Sequence, residues 1–130
     1  MLQEQRKALQ ATLASMSQGI FKTAQDGRVT VYNERVLELL NLPESLMATR
    51  PTLADLTRVQ SERGDFGEGC SLVDRRGYAY VAQGAVAPVP ALYWRTTRDG
   101  RTLEVRTTAL PDGSLVRTFA DVSDYVRVEN

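Results

Sequence analysis

Three arginines, Arg95, Arg106 and Arg117, fall one to each of three successive strand-like runs near the end of the sequence. A planar guanidinium matches a carboxylate as a bidentate fork, so their recurrence offers a carboxylate-binding site. Strand alternation sorts them. Arg106 is out of phase with the apolar Leu103 and Val105 and reads as solvated, whereas Arg117 shares a face with Leu115 and Phe119. The other face of that last run, Val116, Ala120 and Val122, is also apolar. An inward, anion-binding Arg117 therefore stands beside a second reading, a surface or interface ion pair.

Little other chemistry is on offer. The chain has no histidine, which removes a His-ligated haem, Ser-His and Cys-His pairs and a phospho-accepting histidine. Its one cysteine, Cys70, can form neither an internal disulfide nor a zinc cluster, and fits a reducing cytoplasm. Asp26, Asp99 and Asp112 each precede a glycine at a turn, and turn chemistry explains them better than catalysis does. Gly64, Gly67 and Gly69 follow a G-x-x-G-x-G spacing that matches neither phosphate-binding motif, and no strand leads into it. No catalytic residue and no metal site is expected.

The composition bounds the rest. A chain of 130 residues is one ordinary domain, and 42% hydrophobic with 25% charged residues predicts a packed core. Sixteen basic and 16 acidic residues cancel, so no field gathers polyanions and no nucleic-acid partner is expected. No apolar run approaches the roughly 20 residues that span a bilayer, and Met1 to Lys7 is too polar for a signal-peptide core. The expectation is a cytoplasmic chain with no direct membrane insertion.

The elements that must position these groups follow from pattern. Leu2, Leu9, Leu13 and Met16 form a narrow apolar stripe in a segment free of Gly and Pro, which predicts an amphipathic helix over 1–16 that lies on its own domain or forms a dimer seam. Runs 19–23 and 29–32, joined by Asp26-Gly27, read as a hairpin. Asn33 is placed to cap a helix over 34–40, with Tyr32 and Leu37 as its staple, ending at Asn41-Leu42-Pro43. A short helix over 44–47 follows. Thr52 to Asp55 forms a capping box for a helix over 53–62 that carries Leu53, Leu56 and Val59 inward. Residues 71–83 suit helix or strand and are read as helix; 85–91 is a proline-held loop. Runs 92–98, 102–110 and 115–122, separated by Asp99-Gly100 and Asp112-Gly113, form a meander.

The result is an α+β chain: a five-stranded antiparallel sheet with short helices between strands 2 and 3, preceded by an N-terminal helix. The motifs Gln18-Gly19-Ile20, Asp26-Gly27-Arg28, Val31-Tyr32-Asn33, Leu39-Leu40-Asn41-Leu42-Pro43 and the closing Asp121-Val122-Ser123 stand in the order found in PAS domains, and the chain resembles that family over essentially its whole length. Ser123 replaces the usual Thr of the closing triplet, and Asn41 a common glycine. The resemblance sets the boundaries at 1–16 for the helix, 17–123 for the PAS domain and 124–130 for the start of a C-terminal linker.

What the resemblance implies is a sensory and homodimerising module of a bacterial signalling protein, attached to an effector domain such as a histidine kinase or diguanylate cyclase. A ligand-free association scaffold is the alternative. A small ligand would lie between sheet and helices, against Ile20, Val31, Leu37, Leu40, Leu53, Leu56, Leu103, Val105, Arg117 and Phe119, although the apolar members also suffice to fill a core. Asp121 and Ser123 would relay the signal, and Leu2, Leu9, Leu13 and Met16 would form the dimer interface. No cofactor is expected. Haem lacks its histidine, and Cys70 in Gly-Glu-Gly-Cys-Ser departs from the Asn-Cys-Arg context of flavin photoadducts. The first and last strands carry apolar residues on both faces, too many for exposed edges, so residues 115–120 should lie centrally beside 20–23.

Overall fold

The computed structural model of the chain describes residues 18–84 and 89–124. The expected helix over 1–16, with Leu2, Leu9, Leu13 and Met16, lies outside them. Strands β1 (Gly19–Thr23) and β2 (Val29–Tyr32) make the first hairpin, where the Arg28 N–H donates to Asp26 Oδ1 at 3.1 Å. Helix α1 (Glu34–Leu40) begins at Asn33 and stops at Asn41, whose left-handed backbone, φ 52°, turns its N–H back to the Leu37 and Glu38 carbonyls. Helix α2 (Glu44–Met47) starts after Pro43. In α3 (Leu53–Glu62) the capping box is complete, with the Asp55 N–H donating to Thr52 Oγ1 and the Thr52 N–H to Asp55 Oδ2.

A 3₁₀ turn at Glu68–Cys70 leads into α4 (Arg75–Ala82), so the segment 71–83, read as helix, is helical over 75–82, while Val73 forms an isolated bridge with Arg95. The cap of α4, Asp74, has no counterpart in the sequence reading. Strands β3 (Leu92–Thr96), β4 (Thr102–Ala109) and β5 (Leu115–Asp121) complete an antiparallel sheet of order β2-β1-β5-β4-β3. Strand β5 is central and pairs with β1 from Gly19–Phe119 to Thr23–Leu115, as the apolar pattern of both strands requires.

Which face of each strand meets the helices is fixed at β1. Gly19, Phe21 and Thr23 are buried, and a Cβ on Gly19 would come within 2.8 Å of the Val36 backbone in α1, so no other residue allows that approach. Ile20 consequently faces the other way, opposite Thr118, and Val31, opposite Lys22, is 43% exposed. Neither belongs to a cavity between sheet and helices, which corrects two of the expected ligand-binding positions. The physical reason is the two-residue period of the strand, which puts a glycine rather than Ile20 beneath the helix.

Asn33 joins α1 to the sheet. Its buried side chain accepts from the Val36 and Ile20 N–H groups at 3.1 and 3.0 Å and donates to the Gln18 carbonyl at 2.9 Å. Asp74 repeats the arrangement at the opposite edge: its carboxylate accepts from Gly77 N–H in α4 and from Trp94 N–H in β3, at 3.1 and 2.9 Å. Asn33→Ala leaves buried amides and a carbonyl unpaired as well as removing a cap, and is expected to cost about 2–4 kcal/mol. A urea titration checks it: the midpoint falls while the slope stays unchanged.

Candidate functional site

The inward faces of β3 and β5 carry two arginines into the core. Arg117 lies between Phe119 and the β1 register partner Phe21, and is 5% exposed. Arg95 sits on β3 in phase with buried Tyr93 and Thr97, and is 4% exposed. Sequence reasoning took all three arginines as candidates and carried only Arg117 into the site. The third arginine, Arg106, is exposed and bonds Glu104, as its phase predicts.

Arg117 donates from Nε to Thr107 Oγ1 at 3.0 Å and from Nη2 to the Tyr80 hydroxyl at 3.1 Å, with its guanidinium 5.2 Å from the Tyr80 ring centre. Arg95 donates from Nη1 to Gln60 Oε1 at 2.7 Å and lies 4.6 Å above the Phe66 ring. Gln60 is itself fixed, its amide donating to the Leu56 carbonyl at 3.2 Å. The Arg95 Nε, fully buried, has no hydrogen-bond partner among the described residues.

Among the described residues neither guanidinium forms an ion pair. The nearby Asp65 is bonded to Arg63, which also caps the end of α1 by donating to the Leu40 and Asn41 carbonyls. Burial pushes the Arg95 pKa down from its usual value, and the charges of Arg117 and Arg63 press the same way, against the opposing influence of Tyr93 and Asp65. Two positive charges thus stand in an apolar core with aromatic faces and neutral oxygens as their partners, an arrangement costly without a counter-charge.

Between them lies a cavity of about 20 Å³. Of the expected ligand-binding residues, Leu40, Leu53, Leu56, Arg117 and Phe119 line it. Leu103 and Val105 are fully buried core outside its lining, and Leu37 is half-buried at the margin of the core. The reading missed Thr57 and Gln60, and left Arg95 out of the site. A polar residue on the inner face of a helix gives no hydrophobic signal, and α3 buries Leu56, Thr57 and Gln60, whereas the reading carried Leu53, Leu56 and Val59 inward. Leu40 and Arg95 also line an open cleft of about 490 Å³, with Glu38, Arg63, Asp65 and Arg98 on its walls, so Arg95 stands between that cleft and the cavity.

At the far end of β5 the two expected relay residues are in contact. The Ser123 N–H and hydroxyl both donate to Asp121 Oδ1, at 3.0 and 2.5 Å, while Ser123 Oγ accepts from the Thr102 N–H at 2.8 Å. Partial burial works to raise the Asp121 pKa, but the two Ser123 bonds and Arg101 together hold it below the usual carboxylate value. The junction is therefore stabilised above the ordinary carboxylate range and loosens as pH falls through the lowered value. Cys70, with φ 59°, sits half-buried against the core, and among the described residues no cluster of His, Cys, Asp or Glu could hold a metal.

A family model described as the PAS fold matches residues 13–130. Among solved structures the chain is similar to a domain of a sensory box sensor histidine kinase/response regulator from Geobacter sulfurreducens, at TM-score 0.54 and 20% identity over 93% of this chain and 97% of that one. It is similar too to the PAS domain of an HTR-like protein from Haloarcula marismortui, at TM-score 0.50 and 16% identity over 92% and 98%. For the PAS domain of BvgS from Bordetella pertussis the values are 0.51 and 10% over 97% and 92%. At these identities the likeness is one of fold. No curated protein matches the chain.

Tyr80→Phe removes the acceptor for Arg117 Nη2 and is expected to lower stability by about 1–3 kcal/mol. In an Arg117→Met background the same change should cost nothing further, and a double-mutant cycle by chemical denaturation reads the difference.

Proposed function

The chain belongs to the PAS family, and on that premise we propose that it is a cytoplasmic sensory domain that binds a small ligand in its core and relays occupancy to an attached effector, such as a histidine kinase or diguanylate cyclase. One observation carries the ligand reading: two guanidiniums, 4% and 5% exposed, border a core cavity with no carboxylate paired to either among the described residues. A core built only for stability gains more from apolar side chains of similar volume at both positions. No catalytic role is assigned, and the ligand is colourless, since haem lacks a histidine ligand and nothing marks a flavin.

The relay rests on the junction after β5. Asp121 ends the central strand, and its bonds to Ser123 tie the exit of the chain to the start of β4 through Thr102. A shift of the sheet is then felt by whatever follows residue 124, the proposed start of a linker. No helix among the described residues is long and apolar enough to cross a membrane.

Homodimerisation through Leu2, Leu9, Leu13 and Met16 completes the proposal, with the half-buried outer face of the sheet around Ile20, Trp94 and Val116 as the second surface. The cavity of only about 20 Å³ favours one competing reading, a ligand-free association scaffold.

Two measurements test these points. Native mass spectrometry should show a dimer for the whole chain and a weaker one for a chain beginning at Ser15; equal dimerisation removes the helix from the interface. Asp121→Ala in the effector-bearing protein should change output or its response to stimulus, while the domain alone loses only about 1 kcal/mol. Unaltered regulation with unaltered melting reduces Asp121 to a strand end.

A further inference from the structure

We propose that the ligand is an organic monocarboxylate, its head gripped by Arg95 and Arg117 and its apolar body laid against Phe21, Leu53 and Phe119. The proposal rests on the reading that the cavity between sheet and helices is the ligand site, and adds the chemical class.

The donors decide the head. Gln60 occupies Nη1 of Arg95, while Nε, on the edge it shares with Nη2, is buried without a partner among the described residues. That edge presents two parallel N–H groups, the geometry that receives both oxygens of a carboxylate. Arg117 has Nε and Nη2 committed to Thr107 and Tyr80, which leaves Nη1. The Tyr80 hydroxyl, outside the cavity lining, accepts from Arg117 and holds its guanidinium in place.

The walls decide the body. Apart from the arginines, the polar groups of the lining are Thr57, Gln60 and the Tyr93 hydroxyl, and the rest of the wall is apolar or aromatic, which suits an apolar body. About 20 Å³ is room for a single water-sized group, such as one carboxylate oxygen. The body has to displace side chains, and α3 supplies four of them, Leu53, Leu56, Thr57 and Gln60. Seating the ligand thus moves α3, and the cleft that shares Leu40 and Arg95 with the cavity is the way in.

The test is calorimetric titration and thermal melting of the whole chain with acetate, butyrate and hexanoate, against hexan-1-ol and inorganic phosphate at matched ionic strength. Affinity is expected to rise about fourfold with each added methylene, hexanoate to raise the melting temperature, and hexan-1-ol and phosphate to leave it unchanged. Arg117→Met and Arg95→Met should each abolish the hexanoate shift. Relief of the buried charge in Arg95→Met is set against the loss of its bond to Gln60, so the variant should still melt cooperatively, and its own melt taken without hexanoate separates loss of binding from unfolding. Absence of binding across the series, a response to phosphate alone, or undiminished hexanoate binding by Arg95→Met overturns the proposal. If hexanoate fails while another molecule copurifies with the chain in native mass spectrometry, the carboxylate class falls and the ligand-binding reading stands. If hexanoate binds while the attached effector ignores it, the sensory reading falls and this one stands.

Discussion

Helices of four to ten residues do not hold themselves together in water, and every helix described in this chain is that short. The helical side of the domain therefore depends on side chains that bond helix starts to strands. Asn33 and Asp74 do so at opposite sides of the sheet, each joining a first-turn amide to a strand amide. Both sit beside a close approach, Gly19 under Val36 and Gly77 against the Tyr93 ring, where a Cβ would collide. With both ends fixed at contact distance, the space between α3 and the central strands is what remains for Arg95 and Arg117.

That space is neither an ordinary core nor an open pocket. Phe21 and Phe119 pack at 5.7 Å between ring centres in the manner of a core, yet two guanidiniums share the same volume. Their aromatic neighbours offer the negative faces of rings, worth about 1–2 kcal/mol each when desolvated, against several for burying each charge. The neutral oxygens of Gln60, Thr107 and Tyr80 narrow the gap without closing it. The domain thus holds an electrostatic deficit between α3 and the sheet.

Much of the fold was legible because local chemistry writes its own boundaries. The Asn33 cap, the left-handed Asn41, the Thr52–Asp55 box and the Asp-Gly turns each act within a few residues, so the spans they delimit match the structure closely. Facing was harder. Alternation within β1 does not say which side a helix will cover, and a glycine, the weakest hydrophobic signal in the strand, marked the buried side. The site suffered most, since Arg95, Thr57 and Gln60 are inward and polar, and pattern reasoning reads polarity as exposure. Arg117 was recoverable because Leu115 and Phe119 share its face of the strand.

The central place of β5 has a consequence for synthesis on the ribosome. Until residues 115–121 have emerged, β1–β2 and β3–β4 are separate hairpins, each with an unpaired edge, and neither can find its neighbour in the finished sheet. The two ends of the domain meet across almost its entire length, a topology that folds slowly and in one step rather than piece by piece. A nascent or proteolytically shortened chain lacking β5 is consequently two sticky fragments, and quality control meets this protein as all or nothing.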